Sequence, residues 1–129
     1  MNKIEIKHPL KTSSTGAYSA GVLSGGLLFV SGQGPLDLIT GNVVEGTIEE
    51  QTLLTLSHIK MIVEAAGAAL HNIVKCTVHL KDIEDFDRFD VIYGGFFSGT
   101  LPARTTVQSV LWGGIKIEID AIAVMPENQ

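Results

Sequence analysis

The sequence contains one cysteine and no long apolar run, and both shortages limit what the protein can be. With Cys76 alone, neither an intramolecular disulfide nor a cysteine-based zinc site can form. The four histidines are scattered along the chain without a closely spaced pair, so we expect no bound metal. Residues 1–11 lack the apolar core of a signal peptide, and no apolar stretch approaches the roughly 18 residues of a membrane span. We therefore expect a cytoplasmic protein with no membrane segment.

Basic residues are also scarce. Nine lysines and arginines against fourteen aspartates and glutamates give a formal net charge of -5. Such a chain is poorly suited to partners that are bound by neutralising phosphates, so nucleic acid is not an expected partner. Hydrophobic residues make up 45% of the 129 positions, and no repeat or linker divides them. We expect a single domain over residues 1–129.

The apolar residues that are present predict an alternation of strands and helices. Period-two or continuous runs predict five strands, at 18–23, 27–31, 74–80, 103–110 and 115–124. Thr47 and Glu50 have the spacing of a capping box and predict a helix that Gly67 ends. A second helix is predicted by an aromatic stripe that we interpret as core packing: Phe86, Phe89, Tyr93, Phe96 and Phe97. This order is typical of an α+β sandwich with both helices on one face of a mixed sheet.

Glycine-containing segments between neighbouring strands predict two hairpins. The first turn contains Gly25 and Gly26, and the second is the Trp-Gly-Gly segment at 112–114. In the second hairpin, a two-residue loop would place Arg104 and Glu118 on opposite faces, and a three-residue loop would place them on the same face. Chemistry shared within one chain requires the same face, so we predict the longer loop or a bulge. The end of the last strand is apolar on both faces, which indicates that another subunit covers it.

Arg104 is the first candidate for a chemical role. It is one of two arginines and stands in a stretch of small or apolar residues, 101–107. Its planar guanidinium can bind a carboxylate through two parallel hydrogen bonds, which lysine cannot reproduce. Position alone leaves two commoner alternatives, an internal salt bridge or a surface residue whose stem lies on apolar neighbours.

Four further positions have a functional and a structural interpretation. Glu118 lies between two isoleucines and is either a shielded carboxylate that can deprotonate water or part of a solvated strand face. Tyr18 can offer its hydroxyl to a ligand or simply pack. The Ser-Gly-Gln-Gly-Pro segment at 31–35 lacks the third glycine and the helix of a dinucleotide site, so we expect its glycine to admit a ligand or another subunit. Cys76 is interpreted as a small core residue rather than a reactive thiol.

Seven segments, in order, resemble the RidA/YjgF family. They lie at 16–19, 28–35, 41–44, 63–67, 93–97, 102–104 and 116–123. The resemblance covers residues 16–124. Its most specific parts are Pro-Ala-Arg at 102–104 and the final strand Ile-Glu-Ile-Asp-Ala-Ile-Ala at 117–123.

The resemblance implies a RidA/YjgF-like, chorismate-mutase-like fold that assembles as a homotrimer with ligand clefts between subunits. It also implies a 2-iminobutanoate/2-iminopropanoate deaminase, which hydrolyses 2-aminoacrylate and related 2-imino acids to 2-oxo acids and ammonia without a cofactor. Arg104 is implied to bind the substrate carboxylate and Glu118 to hold the attacking water. The implied pocket residues are Tyr18, Ser31, Gly32, Thr106 and Asp90.

This chain departs from the family pattern at several positions. Asp90 stands where an asparagine is common, and Thr106 replaces a frequent cysteine. Because the extra charge of Asp90 opposes an anionic substrate, the preferred imine is expected to differ from 2-aminoacrylate. Two other functions stay open: a non-catalytic sensor of a 2-oxo or amino acid, and an RNA-cleaving or translation-inhibiting protein. The acidic balance and the lack of a basic stripe argue against the second.

Overall fold

The computed structural model describes residues 2–126, which form a six-stranded mixed sheet with two helices on one face. The strand order is β1-β2-β3-β6-β4-β5, and only β4 and β5 run parallel. The elements are β1 (Ile4–Ile6), β2 (Gly21–Ser24), β3 (Leu27–Gln33), α1 (Ile48–Ala65), β4 (Ile73–Leu80), α2 (Phe86–Phe96), β5 (Ala103–Gln108) and β6 (Ile117–Val124). The predicted α+β class is confirmed, with both helices on the same side of the sheet.

Helix α1 begins and ends where the local sequence predicts. The Thr47 hydroxyl accepts a hydrogen bond from the Glu50 backbone at 3.1 Å, and the Glu50 carboxylate accepts one from the Thr47 backbone at 2.9 Å. The helix gives way at Gly67, whose φ of +90° favours glycine. Its apolar side is almost fully buried against the sheet, at Ile48, Leu56, Ile59, Ile62 and Val63.

The aromatic stripe and Cys76 are core residues, as predicted. Phe89 and Tyr93 are buried, and their ring centroids lie 5.4 Å apart. Cys76 has no exposed surface, and burial raises the pKa of its thiol, which keeps it protonated. In α2, and at Cys76 in β4, the sequence period therefore identifies the buried face correctly.

One residue of the predicted β4 face is misplaced. Val74 alternates in the sequence with Cys76 and Val78 and is therefore expected on the buried face, but it is 46% exposed, whereas Ile73, which precedes the predicted strand, is 4% exposed. A register shift between Ile73 and Lys75 against β6 explains the reversal, because an extra residue in one strand turns the preceding side chain to the other face. In β6 the prediction is confirmed, and the alternate residues Ile117, Ile119, Ala121 and Ala123 are buried.

The first predicted hairpin is confirmed and the second is wrong. Strands β2 and β3 pair antiparallel around Gly25 and Gly26, which have φ of +61° and +79°. Strand β6 instead lies between β3 and β4, and β5 bonds in parallel to the other edge of β4. The chain runs from β4 through helix α2 to β5, and a helical crossover of this kind allows two adjacent strands to pair in parallel. The predicted choice between two loop lengths therefore does not apply.

The N-terminal region also differs from the prediction. Strand β1 was not predicted, and it pairs antiparallel with β2 through Ile4 and Leu23. Strand β2 begins at Gly21, so Tyr18 lies in the bend that precedes it. Within residues 2–126, neither helix is both long enough and apolar enough to cross a membrane.

Candidate active site

A cleft of about 240 Å³ collects four of the residues that the sequence singles out. Tyr18, Ser31, Gly32 and Glu118 line it, and we call these four the cleft half of the site. Residues without a predicted role complete the lining, among them His8, Lys11 and Trp112. Pockets for drug-sized molecules are usually larger, about 300–1,000 Å³, so this cleft suits a small ligand.

A bulge in β3 shapes the cleft around Glu118. Val30 pairs with Ala121 and the next pair is Gln33 with Ile119, so β3 uses one residue more than β6. At Gly32, an added Cβ would lie 2.6 Å from the Glu118 Oε2 atom. The close approach predicted for this glycine is present, but the approaching group is Glu118 of the same chain rather than a ligand or another subunit.

The two hydroxyl groups of the cleft half have different surroundings. The Ser31 hydroxyl donates to the Ser19 carbonyl at 2.6 Å, which leaves its lone pairs as acceptors. Tyr18 is 46% exposed, and its hydroxyl bonds to that of Thr15. The Lys11 Nζ lies 4.7 Å from the Tyr18 ring centroid. Tyr18 therefore forms the exposed rim of the cleft.

Arg104 lies outside the cleft, on β5 beside α2. It is in register with the buried Cys76 and so projects toward the helices. Its Nη1 donates to the Asp90 Oδ1 at 2.7 Å, and its guanidinium carbon lies 4.8 Å from the Tyr93 ring centroid. A cation above an aromatic face is held in place electrostatically. The guanidinium is thus fixed at the edge of the sheet.

Arg104, Asp90 and Thr106 form the edge half of the site. Thr106 is in register with the buried Val78, and its buried hydroxyl has no hydrogen-bond partner in the part of the chain that the structure describes. The Asp90 side chain is 47% exposed and uses one oxygen on Arg104. The negative charge of Asp90, which the sequence predicts to oppose an anionic substrate, is therefore paired with the positive charge of Arg104.

The two halves are on opposite faces of the sheet. Glu118 is in register with His79, three residues beyond Cys76 on β4, and side chains alternate between the faces along a strand. The prediction that Arg104 and Glu118 share a face within one chain is therefore wrong. Strand β4 separates β5 from β6, so a change of loop length could not correct the difference.

Two buried histidines beside the cleft were not predicted. The Leu10 N–H donates to the His8 Nδ1 at 3.1 Å, the His8 Nε2 lies 3.0 Å from the His58 Nδ1, and the His58 Nε2 lies 2.7 Å from the Leu36 carbonyl. The His8 Nδ1 accepts from the Leu10 N–H and therefore has no proton, so its Nε2 donates to the His58 Nδ1. The His58 Nε2 in turn donates to the Leu36 carbonyl. Each ring thus has one proton and is neutral. Burial lowers the pKa of His8 to about 4 and also lowers that of His58. The partners are 50 positions apart, so no local pattern could reveal them.

Lys11 is the other unpredicted polar residue of the cleft. Its Nζ donates to the Thr15 hydroxyl at 2.7 Å and lies 3.5 Å from the Tyr18 hydroxyl. Among residues 2–126, no carboxylate oxygen lies within 4.0 Å of this ammonium group. The described residues also contain no cluster of three or more His, Cys, Asp or Glu side chains that could hold a metal ion.

Comparison with known proteins identifies the family. A family model described as Endoribonuclease L-PSP matches residues 9–125. The chain belongs to the RidA/YjgF family. A RutC family protein of Saccharolobus solfataricus is 49% identical over 109 residues, which are 84% of this chain and 86% of that protein. A rat 2-iminobutanoate/2-iminopropanoate deaminase is 42% identical over 113 residues, 87% of this chain and 82% of that protein.

A solved structure extends the likeness to the fold. The Escherichia coli TdcF structure with bound serine has a TM-score of 0.88 and 35% sequence identity, and the match covers 95% of this chain and 99% of that one. The family and the fold that the sequence motifs indicated are therefore confirmed. One relative has a deaminase name, and the Saccharolobus relative has a family name only.

In this RidA/YjgF chain, neither half of the site is sufficient for chemistry on a small acid. The cleft half offers a carboxylate and two hydroxyl groups, and Lys11 lies beside it, but neither arginine lines the cleft. The edge half offers an anchored guanidinium and a buried hydroxyl without a general base. Because the halves lie on opposite faces of the sheet, one ligand cannot contact both within a single chain.

Proposed function

We propose that this protein is an imine deaminase. Its substrates are 2-imino acids and their enamine forms, such as 2-aminoacrylate, and its products are 2-oxo acids and ammonia. The observation that carries the proposal is the position of the Glu118 carboxylate in a small cleft. It lies against Gly32, and any residue other than glycine at that position would place a Cβ too close to it. The deaminase name of the rat relative and the serine in the TdcF structure support an amino-acid-like ligand.

The reaction needs a base and an oriented water. Glu118 accepts a proton as the water oxygen bonds to the imine carbon, and the C=N electron pair moves to nitrogen. With the imine nitrogen protonated at the start, this step gives a neutral carbinolamine. Glu118 then passes its proton to the carbinolamine nitrogen, and as the C–N bond breaks the hydroxyl gives its proton to Glu118 and becomes the carbonyl of the 2-oxo acid. Glu118 finally gives that proton to the released ammonia, which leaves as ammonium. Because an imine carbon is already electrophilic, orientation and proton transfer are sufficient.

Arg104 would bind the substrate carboxylate. Asp90 occupies one terminal nitrogen of the guanidinium, and the guanidinium carbon lies over the Tyr93 ring, 4.8 Å from its centroid. A carboxylate can therefore approach the free side of the fork and form two parallel hydrogen bonds. Thr106, with its unpartnered buried hydroxyl, lies on the same face of β5.

The complete site would lie between subunits of a homotrimer. The face of the sheet that the helices leave open has several large apolar side chains, among them Phe29, Val107 and Val124, which are 44%, 39% and 44% exposed. Large apolar patches of this kind mark interaction surfaces. A cyclic, head-to-tail assembly would bring the cleft half of one chain to the edge half of the next. No nucleic acid is required, which accords with the net charge of -5.

Mixing two inactive variants tests the shared site directly. Arg104→Ala and Glu118→Gln should each abolish acceleration of imine hydrolysis, measured as the loss of freshly generated 2-aminoacrylate. When equal amounts are unfolded and refolded together, about one quarter of the sites should receive Arg104 from one chain and Glu118 from its neighbour, and activity should return to that level.

Each variant refolded alone is the control for this experiment. Activity that stays at background in the mixture, from subunits shown to exchange, would contradict the shared site. Wild-type protein that binds a 2-oxo acid without accelerating hydrolysis would identify a sensor instead of an enzyme.

A further inference from the structure

The positive charge of Lys11 is unmatched within the cleft. The two arginines are each paired, Arg88 with Glu49 and Arg104 with Asp90, at 2.7 Å in both cases. The Lys11 ammonium group contacts the hydroxyl oxygens of Thr15 and Tyr18 and the Tyr18 ring, all of them neutral, although it lines the same cleft as Glu118. An ammonium group has three donors, so at least one N–H of Lys11 is available to a ligand.

Several contacts hold Lys11 in position. Its backbone N–H donates to the His8 carbonyl at 3.2 Å, and His8 is tied through His58 to the Leu36 carbonyl. Its Nζ is directed along the cleft wall by Thr15 and Tyr18. These hydrogen bonds fix the position of the Lys11 ammonium group, whereas the side chain of a solvated surface lysine is free to move.

The charges that line the cleft indicate what Lys11 binds. Lys11 and Glu118 are its two charged residues other than histidine, and His8 is neutral. The proposed reaction uses Glu118 for water and Arg104 for the first carboxylate, so neither is available to the rest of the substrate. A second anionic group in the substrate would meet Lys11, where the compact ammonium acts as a point charge.

We propose that Lys11 determines specificity by binding a second carboxylate, so that the preferred substrates are 2-imino dicarboxylic acids of four or five carbons. This inference rests on the proposed deaminase function. The small cleft favours such short diacids over longer chains. A charge-assisted hydrogen bond to Lys11 should favour the diacid by about 10- to 100-fold.

Kinetics with two imines test the inference. An amino-acid oxidase generates the imines of aspartate and alanine in the assay, and hydrolysis by wild type, Lys11→Met and Lys11→Gln is compared. Both variants should lose about 10- to 100-fold in kcat/KM for the diacid imine, with less than about 3-fold change for 2-iminopropanoate. The matched control is Lys60→Met on the exposed side of α1, which should behave as wild type with both imines.

A binding experiment separates this inference from the proposed function. Calorimetry should show that 2-oxoglutarate binds more tightly than pyruvate, and that Lys11→Gln removes the difference. If no imine is hydrolysed but this binding pattern holds, the deaminase proposal fails and the assignment of Lys11 stands. If both imines are hydrolysed and the Lys11 variants affect them equally or not at all, the assignment fails and the deaminase proposal stands.

Discussion

The cleft half and the edge half fix their charged groups by different physical means. In the cleft, the backbone itself makes room for Glu118, because a bulge and Gly32 leave the space that a Cβ would fill. At the edge, Arg104 is held by an ion pair and by aromatic rings on α2. Steric exclusion is steep with distance, whereas partly exposed electrostatic contacts are weak. The cleft half should therefore be the less tolerant of substitution.

Among substitutions that leave Arg104 and Glu118 in place, the largest effect should come from Gly32→Ala. The new Cβ would lie 2.6 Å from the Glu118 Oε2, so the carboxylate must move. Displacement of a reacting group by about 1 Å can reduce the rate 10²-fold. We expect a loss of kcat/KM of this order for imine hydrolysis, measured by steady-state kinetics.

Gly94→Ala is the matched control. An added Cβ at Gly94 meets nothing within 4 Å, and this glycine lies inside α2. Since alanine is favoured over glycine in a helix by about 1 kcal/mol, the variant should keep its activity and melt at a higher temperature. Full activity of Gly32→Ala would show that Glu118 is not confined as described.

An intermediate effect is expected from acid. The pKa of His8 is about 4 in the folded protein, below its ordinary value of 6.5. Well above pH 6.5, His8 is unprotonated in both the folded and the unfolded form. The free energy of unfolding then does not depend on the protonation of His8. As the pH falls from 6.5 toward 4, the unfolded form binds the proton more readily than the folded form, so the free energy of unfolding decreases by at most about 3 kcal/mol. Denaturant unfolding at several pH values measures this change.

The variant His8→Asn sharpens this result, because its side chain can donate and accept a hydrogen bond but cannot titrate. Its stability should depend less on pH across the same interval. The remaining slope would include His58, whose pKa burial also lowers, and Glu49 and Glu50, whose pKa values are lowered by hydrogen bonds. An unchanged slope would show that His8 is not kept neutral.

The smallest effect should come from Asp90→Asn. The amide can still accept the hydrogen bond of Arg104, but the opposing charge is removed. A partly exposed ion pair contributes about 0.2–1 kcal/mol, so KM for an anionic substrate should fall about two- to five-fold with little change in kcat. A rise in KM would mean that the carboxylate of Asp90 is needed to orient Arg104.

The correct predictions concern features that lie within a single helix or strand. The capping box of α1, the aromatic stripe of α2 and the alternation along β6 each lie within one element, and each is confirmed. The family motifs identified Arg104 and Glu118 as candidates, and their roles stay predictions. The errors concern how elements meet: the neighbours of β6, the bulge that exposes Val74, and the contact of His8 with His58. These depend on pairing between distant segments, which no local period encodes.

The parallel pairing of β5 has a consequence for motion. Strand β5 is bonded to the sheet along one side only, through β4, whereas β6 has a neighbour on each side. Strands at an edge open locally at lower free energy than central ones, and their amide hydrogens exchange sooner. Arg104 is thus attached to a segment that can loosen while the strand that carries Glu118 stays intact. In the proposed deaminase, Arg104 would thus be able to release the product carboxylate while Glu118 keeps its position.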